Sequence, residues 1–147
     1  MIPTITVKIP GKPITANMQA RLTAVKVTGS AGISYRGRMY KSNESRAYQS
    51  LVYNLAYEEA ALTGWKQPFY AVVHLRYYNI RADVDGVPKL ILDGLQGVLY
   101  PNDSRIKRFL VEPFKDDGGE RCEVDVSWMT WAECKSKGLT CPVKYRI

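Results

Sequence analysis

Three stretches of the chain alternate apolar and polar side chains residue by residue, a period of two that only strands with one buried face can satisfy. Ile5, Val7 and Ile9 alternate with Thr6 and Lys8 until Pro10, Gly11 and Pro13 stop the pattern. Phe69, Ala71, Val73, Leu75 and Tyr77 alternate with Tyr70, Val72, His74, Arg76 and Tyr78. Cys122, Val124, Val126 and Trp128 alternate with Glu123, Asp125 and Ser127, and a further strand is expected over residues 105–114. The last two strands are joined by "KDDGGE", where Asp117-Gly118 predicts a hairpin and places Asp116 and Asp117 in turn roles. Between the strands, Tyr48, Leu51, Val52, Leu55 and Leu62 recur near helical spacing, with Asn43 as the expected cap, Glu44 in the first turn and Gly64 as the stop. The expected class is α+β (mixed α/β), a small mixed β-sheet with two main helices. Residues 1–147 form one expected domain, long enough to bury a core without staples.

Composition narrows the setting. No stretch approaches the roughly 20 apolar residues that span a bilayer, and "MIPTITVKIPGKP" lacks an apolar run of signal-peptide length. A cytoplasmic protein is expected, with no membrane partner. Cys122, Cys134 and Cys141 are odd in number and lack C-x-x-C spacing, so reduced thiols are expected rather than a zinc site or disulfide framework. His74, the only histidine, falls mid-strand and is read as structural or surface rather than as a base.

The net charge of +7 is localised. Lys8, Lys12, Arg21, Lys26, Arg36, Arg38 and Lys41 precede the first acid, Glu44, and the rest of the chain balances. Such a segment suits a polyanion, because neutralised phosphates release condensed counterions. Residues 11–43 show no strong periodicity and are expected to be weakly ordered and mobile, with a bend at Gly29 and Ser30 and a short hairpin around Arg36 and Gly37. Tyr35 and Tyr40 would suit base stacking there. Lys12, Arg21, Lys26, Arg36, Arg38, Lys41, Lys107 and Arg108 are the candidate DNA contacts.

The segment "RADVDGVPKLILDGLQGVLYPNDSRI", residues 81–106, concentrates acids in this basic chain. In extended backbone Asp83 and Asp85 fall on one side, where they could share a hard cation. Asp85 could equally cap a helix beginning at Gly86, with Pro88 in its first turn, Lys89 and Asp93 as an i,i+4 pair, and Pro101-Asn102 as a turn. Spacing leaves both readings open.

The segment closely resembles the signature of the RusA-like Holliday junction resolvases, approximately R-x-D-x-D-N-x-x-K-x-x-x-D-x-L-x-G-x-x-x-x-D-D-x-x-I, and "IPGKPITAN" resembles the family's opening strand and turn. The resemblance implies a homodimeric, Mg²⁺-dependent endonuclease (Mn²⁺ a substitute) that cuts four-way DNA junctions in recombination and repair, of bacterial, phage or prophage origin. By position it implies Asp83, Asp85 and Asp103 as catalytic metal ligands and Lys89 as the catalytic lysine, with Asp93 in support. Gly86 stands where the family usually has asparagine, and Asn102 where it often has an aspartate, but neither change removes an implied ligand. The alternatives are a nuclease of flaps or other branched DNA and a non-catalytic, structure-specific DNA-binding protein.

Helix length poses a problem. A straight helix over residues 86–98 would be about 20 Å long, leaving Asp103 at the far end from Asp85. Either Gly94 and Gly97 end it early and the chain folds over, the arrangement favoured here, or a twofold partner supplies Asp103.

Overall fold

The computed structural model describes residues 1–15, 20–29 and 32–147, with the chain between residues 20 and 41 described by its backbone alone. Its elements are β1 (Thr4–Pro10), β2 (Ala20–Gly29), β3 (Gly32–Lys41), α1 (Asn43–Thr63), β4 (Ala71–Tyr78), α2 (Pro88–Leu95), β5 (Ile106–Phe114), β6 (Arg121–Trp128) and α3 (Trp131–Ser136). Short 3₁₀ turns occupy Asp103–Arg105 and Val143–Tyr145. The architecture is α+β.

Four strands form a mixed sheet in the order β1-β6-β4-β5. The alternating stretches account for its interior. Val124 of β6 faces Val7 of β1 and Leu75 of β4, and Val126 faces Ile5 and Val73. These side chains are buried with Tyr48, Val52 and Ala56 of α1 and Leu90, Ile91 and Leu95 of α2, so both helices cover one face. At Gly94 the helices nearly touch: an added Cβ would sit 2.8 Å from the Val52 side chain and 3.0 Å from the Gln49 carbonyl oxygen. β4 and β5 run parallel, joined by a crossover that contains α2.

The opposite sheet face is polar. Arg76 donates to Asp125 at 2.5 Å and lies 3.5 Å from Glu123, which Arg121 also meets at 3.0 Å. Burial would push the Asp125 carboxyl up, but Arg76 and Thr6 hydrogen bonds hold it below its ordinary value. His74 sits on this face with Nε2 2.7 Å from Glu112 Oε1, as its mid-strand position predicted. One end of the face is covered by the segment around α3, where Cys134 and Cys141 pack with Met129, Phe69 and Trp131. All three cysteines are free and buried. No helix among the described residues is long and apolar enough to cross a membrane.

Several local expectations are corrected. Ser42, not Asn43, caps α1, accepting from the Ser45 amide at 3.2 Å, while Gly64 ends it at φ 67° as foreseen. Leu51 and Leu62 point outward, Leu62 almost fully exposed, because the buried stripe runs through Ser45, Tyr48, Val52 and Ala56. Residues 20–29 and 32–41 pair as one long antiparallel ribbon, so Arg36 and Gly37 lie mid-strand opposite Val25 and Ala24 and form no hairpin. Thr23, Val25, Val27 and Thr28 supply the β-branched content that favours this state. The expected bend reaches Ser30, outside the described residues, as do residues 16–19 and 31 within the stretch expected to be mobile. β5 and β6 form no hairpin either: they flank β4, and the "KDDGGE" link crosses its end. Asp116 does serve that link, bonding Asn79, the Gly118 amide and Arg121, and these partners hold its carboxyl well below the carboxylate range.

Candidate active site

Asp83 and Asp85 lie on the exposed loop that leaves β4. The Tyr77 hydroxyl donates to the Ala82 carbonyl at 3.2 Å and fixes the start of that loop. The Gly86 amide donates to the Asp83 carbonyl at 3.0 Å, closing a turn through Asp85. This turn overrides the expected cap. The helix starts only at Pro88, Val87 occupies the cap position in helical backbone without a side-chain bond, and Asp85 is left upstream. Pro88 takes the first helical position, where its missing N–H costs nothing.

α2 ends early, the arrangement favoured over a straight helix to residue 98. Its eight residues run only about 12 Å before Gln96 turns extended and Gly97 adopts φ 85°, a left-handed conformation that favours glycine. The chain then folds back. The Gly97 amide donates to the Tyr100 carbonyl at 2.7 Å, and the Tyr100 hydroxyl returns to the Leu92 carbonyl at 2.8 Å. From the α1–β4 connection, Trp65 Nε1 donates to the Leu99 carbonyl at 3.0 Å, and Gln67 Nε2 to the Gly97 carbonyl at 2.8 Å. Asn102 caps the 3₁₀ turn through the Ser104 amide at 3.1 Å, and the Asp103 amide donates to Gln96 Oε1 at 3.3 Å. Trp65, Gln67 and Tyr100 went unforeseen because they act through backbone carbonyls and belong to no chemical motif.

The fold-back brings Asp103 toward the middle of α2. Lys89 Nζ lies 3.4 Å from Asp93 Oδ1. Burial raises the Asp103 carboxyl above its ordinary value, the Asp93 charge raises it further, and Lys89 opposes both. The buried Tyr100 hydroxyl is raised too, first by desolvation and then by Asp103 and Asp93. Lys89, Asp93 and Asp103 therefore share one electrostatic neighbourhood within a single chain. Asp83 and Asp85 follow the end of β4, whereas Asp103 precedes β5, which begins beside Ala71 at the start of β4. Among the described residues no three acidic, histidine or cysteine side chains converge closely enough to hold a metal ion, so the three aspartates do not form a closed cage in this conformation.

The donor chemistry nonetheless fits a hard divalent cation. Asp83, Asp85 and Asp103 are exposed carboxylates, and the desolvation and Asp93 charge that together resist ionisation of Asp103 are what a nearby cation would offset. Gly86 and Asn102 keep structural roles in a turn and a cap.

Of the candidate DNA contacts, Lys12 is exposed just after β1. Backbone register sets Arg21 opposite Tyr40, Lys26 opposite Tyr35, Arg36 opposite Val25, Arg38 opposite Thr23 and Lys41 opposite Ala20, their side chains lying outside the description. The Lys107 ammonium sits 5.4 Å from the Tyr70 ring, and Arg108 meets Glu133 at 3.3 Å while staying largely exposed.

The mixed sheet thus carries an acid-rich loop after its second strand in chain order, and a basic segment precedes its first helix. Comparison with models of protein families matches residues 10–127 to Endodeoxyribonuclease RusA. The chain belongs to the RusA endodeoxyribonuclease family. No curated protein matches it.

Proposed function

We propose that this protein is a divalent-metal-dependent endodeoxyribonuclease that cuts four-way DNA junctions as a homodimer, in recombination or repair within the cytoplasm of a bacterium, whether encoded by the host, a phage or a prophage. The observation that carries the proposal is the fold-back that sets Asp103 beside Lys89 and Asp93, in the segment that also bears Asp83 and Asp85.

Mg²⁺, with Mn²⁺ as substitute, would be held by Asp83, Asp85 and Asp103, where its chemistry is to polarise a phosphoryl oxygen and lower the pKa of water. The chain's own residues do the rest. Lys89 offsets negative charge on the scissile phosphate, and Asp93 holds the ammonium in place. Trp65 and Gln67 fix the turn that presents Asp103. Lys12, Arg21, Lys26, Arg36, Arg38, Lys41, Lys107 and Arg108 attract the phosphate backbone. A C₂ dimer would present two equivalent sites to a junction of near-twofold symmetry.

The test is to incubate purified protein with end-labelled four-way junction, flap and plain duplex, with and without Mg²⁺. Paired, symmetric, Mg²⁺-dependent cuts in the junction alone are expected, and Asp83→Asn should abolish cutting while junction binding persists. Unchanged cutting by Asp83→Asn would sink the assignment. Preference for the flap would make the protein a nuclease of other branched DNA, and binding without any cutting would make it a structure-specific binding protein.

A further inference from the structure

One surface beside the candidate site shares only Asp93 with that mechanism. A cleft of about 630 Å³ opens between α1 and α2, lined by Arg46, Gln49, Ser50, Tyr53, Asn54, Asp93 and Gly94. Its floor exists because Gly94 lets the two helices approach closely. Asp93 lies in its wall, so the cleft adjoins the neighbourhood of Lys89 and Asp103.

The α1 side of the cleft is ordered along the helix. At about 100° per residue, the cleft residues Arg46, Ser50 and Tyr53 fall, with Tyr57 one turn beyond the cleft, within a stripe roughly 60° wide and about 16 Å long. Tyr53 and Tyr57 are 45% and 60% exposed, and their rings stack with centroids 6.3 Å apart and planes 20° from parallel. The core has no use for them, because α1 buries Ser45, Tyr48, Val52 and Ala56 instead.

We infer that this stripe is a strand-binding platform, on which an unpaired DNA base stacks on Tyr53 and Tyr57 while Arg46 holds a flanking phosphate. The inference rests on the reading that the substrate is branched DNA. A nucleotide suits the cleft better than a protein surface does: a cation, a hydroxyl and two amides next to an aromatic face match a phosphate and a base. The negative charge of Asp93 at the inner end is offset by Lys89. A strand laid along α1 would thus run from the tyrosines toward the candidate catalytic residues.

The experiment uses the full chain and a four-way junction that carries one unpaired 2-aminopurine at its branch point, without Mg²⁺ so that nothing is cut. Binding of the wild type should quench the fluorophore by stacking. Tyr53→Ala with Tyr57→Ala should abolish the quench and weaken binding about tenfold or more, whereas Tyr53→Phe with Tyr57→Phe should keep both. Arg46→Ala should keep the quench and reduce the slope of affinity against salt by about one phosphate contact. The positions are exposed on a helix that tolerates alanine, and circular dichroism confirms folding. An alanine variant that quenches and binds like the wild type would overturn the platform and leave the nuclease reading standing. One that instead lowers the sedimenting mass would also overturn it, showing the stripe to be a contact between copies. A wild type that binds no branched DNA would defeat the functional reading first and the platform with it.

Discussion

The indole nitrogen of Trp65 donates to the carbonyl oxygen of Leu99 across 3.0 Å, and this bond ties the segment after α1 to the turn that presents Asp103. Trp65→Phe keeps most of the ring's packing and removes the donor. It should cost about 1 kcal/mol of stability, read as a lower melting temperature. Junction cleavage should fall by a larger factor than the fraction unfolded explains, because the turn holding Asp103 loosens; cleavage that simply tracks the folded fraction would show that Trp65 does not position the site.

Gly94→Ala should destabilise by about 1–3 kcal/mol, since the new methyl meets Val52 at 2.8 Å and backbone at 3.0 Å with no flexible tip to yield. Chemical denaturation gives the number. A neutral result would mean that α1 and α2 part at little cost.

The ion pair of Arg76 and Asp125 predicts a pH signature. Asp125 is held below its ordinary pKa, so its contribution is present above the usual carboxylate range and is lost as pH falls through that range. Arg76→Leu should cost about 2 kcal/mol at neutral pH by leaving Asp125 without its partner, and it should flatten the acid limb of the stability curve. Melting temperatures across pH 3 to 7 read both effects.

Asp103 predicts the opposite sign. Its carboxyl is raised, so the folded state favours the proton, and ionisation lowers stability as pH rises past the ordinary value. Asp103→Asn should therefore be inactive yet more stable by about 0.5 kcal/mol at neutral pH, the gain fading at acid pH. A loss of stability at neutral pH would place Asp103 in a structural role.

Mixing chains answers whether the three aspartates act within one subunit. Because Asp103 shares its neighbourhood with Lys89 of its own chain, heterodimers of Asp83→Asn and Asp103→Asn should recover no more cutting than either homodimer. Restored cutting in purified heterodimers would mean that each site draws on both chains.

Much of this was legible because strands with one buried face write themselves as strict alternation. β1, β4 and β6 could be placed from Ile5, Val73, Val124 and their neighbours for that reason. Partner choice is not local information. Asp117-Gly118 looks like a hairpin turn, yet the chain passes over the end of β4, and no dipeptide reports which strand lies next door. An early end for the helix of the candidate site was the favoured one of two arrangements, because Gly94 and Gly97 interrupt an apolar pattern that Val98, Leu99 and Tyr100 continue. Its early end is what allows Asp103 to return. The candidate acids came from the family resemblance, since spacing left two readings open, and the bonds that hold their turn were not legible at all, since Trp65 and Gln67 act on carbonyls 30 or more residues away.

The pairing of β1 with β6 bears on how the protein is made. Thr4 sits opposite Ser127, so among the described residues the first strand pairs in the sheet with β6, near the end of the chain. Contacts so distant in sequence are slow to form, and none can form before both segments exist. On the ribosome, Ile5, Val7 and Ile9 must wait with their apolar side chains uncovered by β6 until residue 128 has emerged, and the four-stranded sheet closes late.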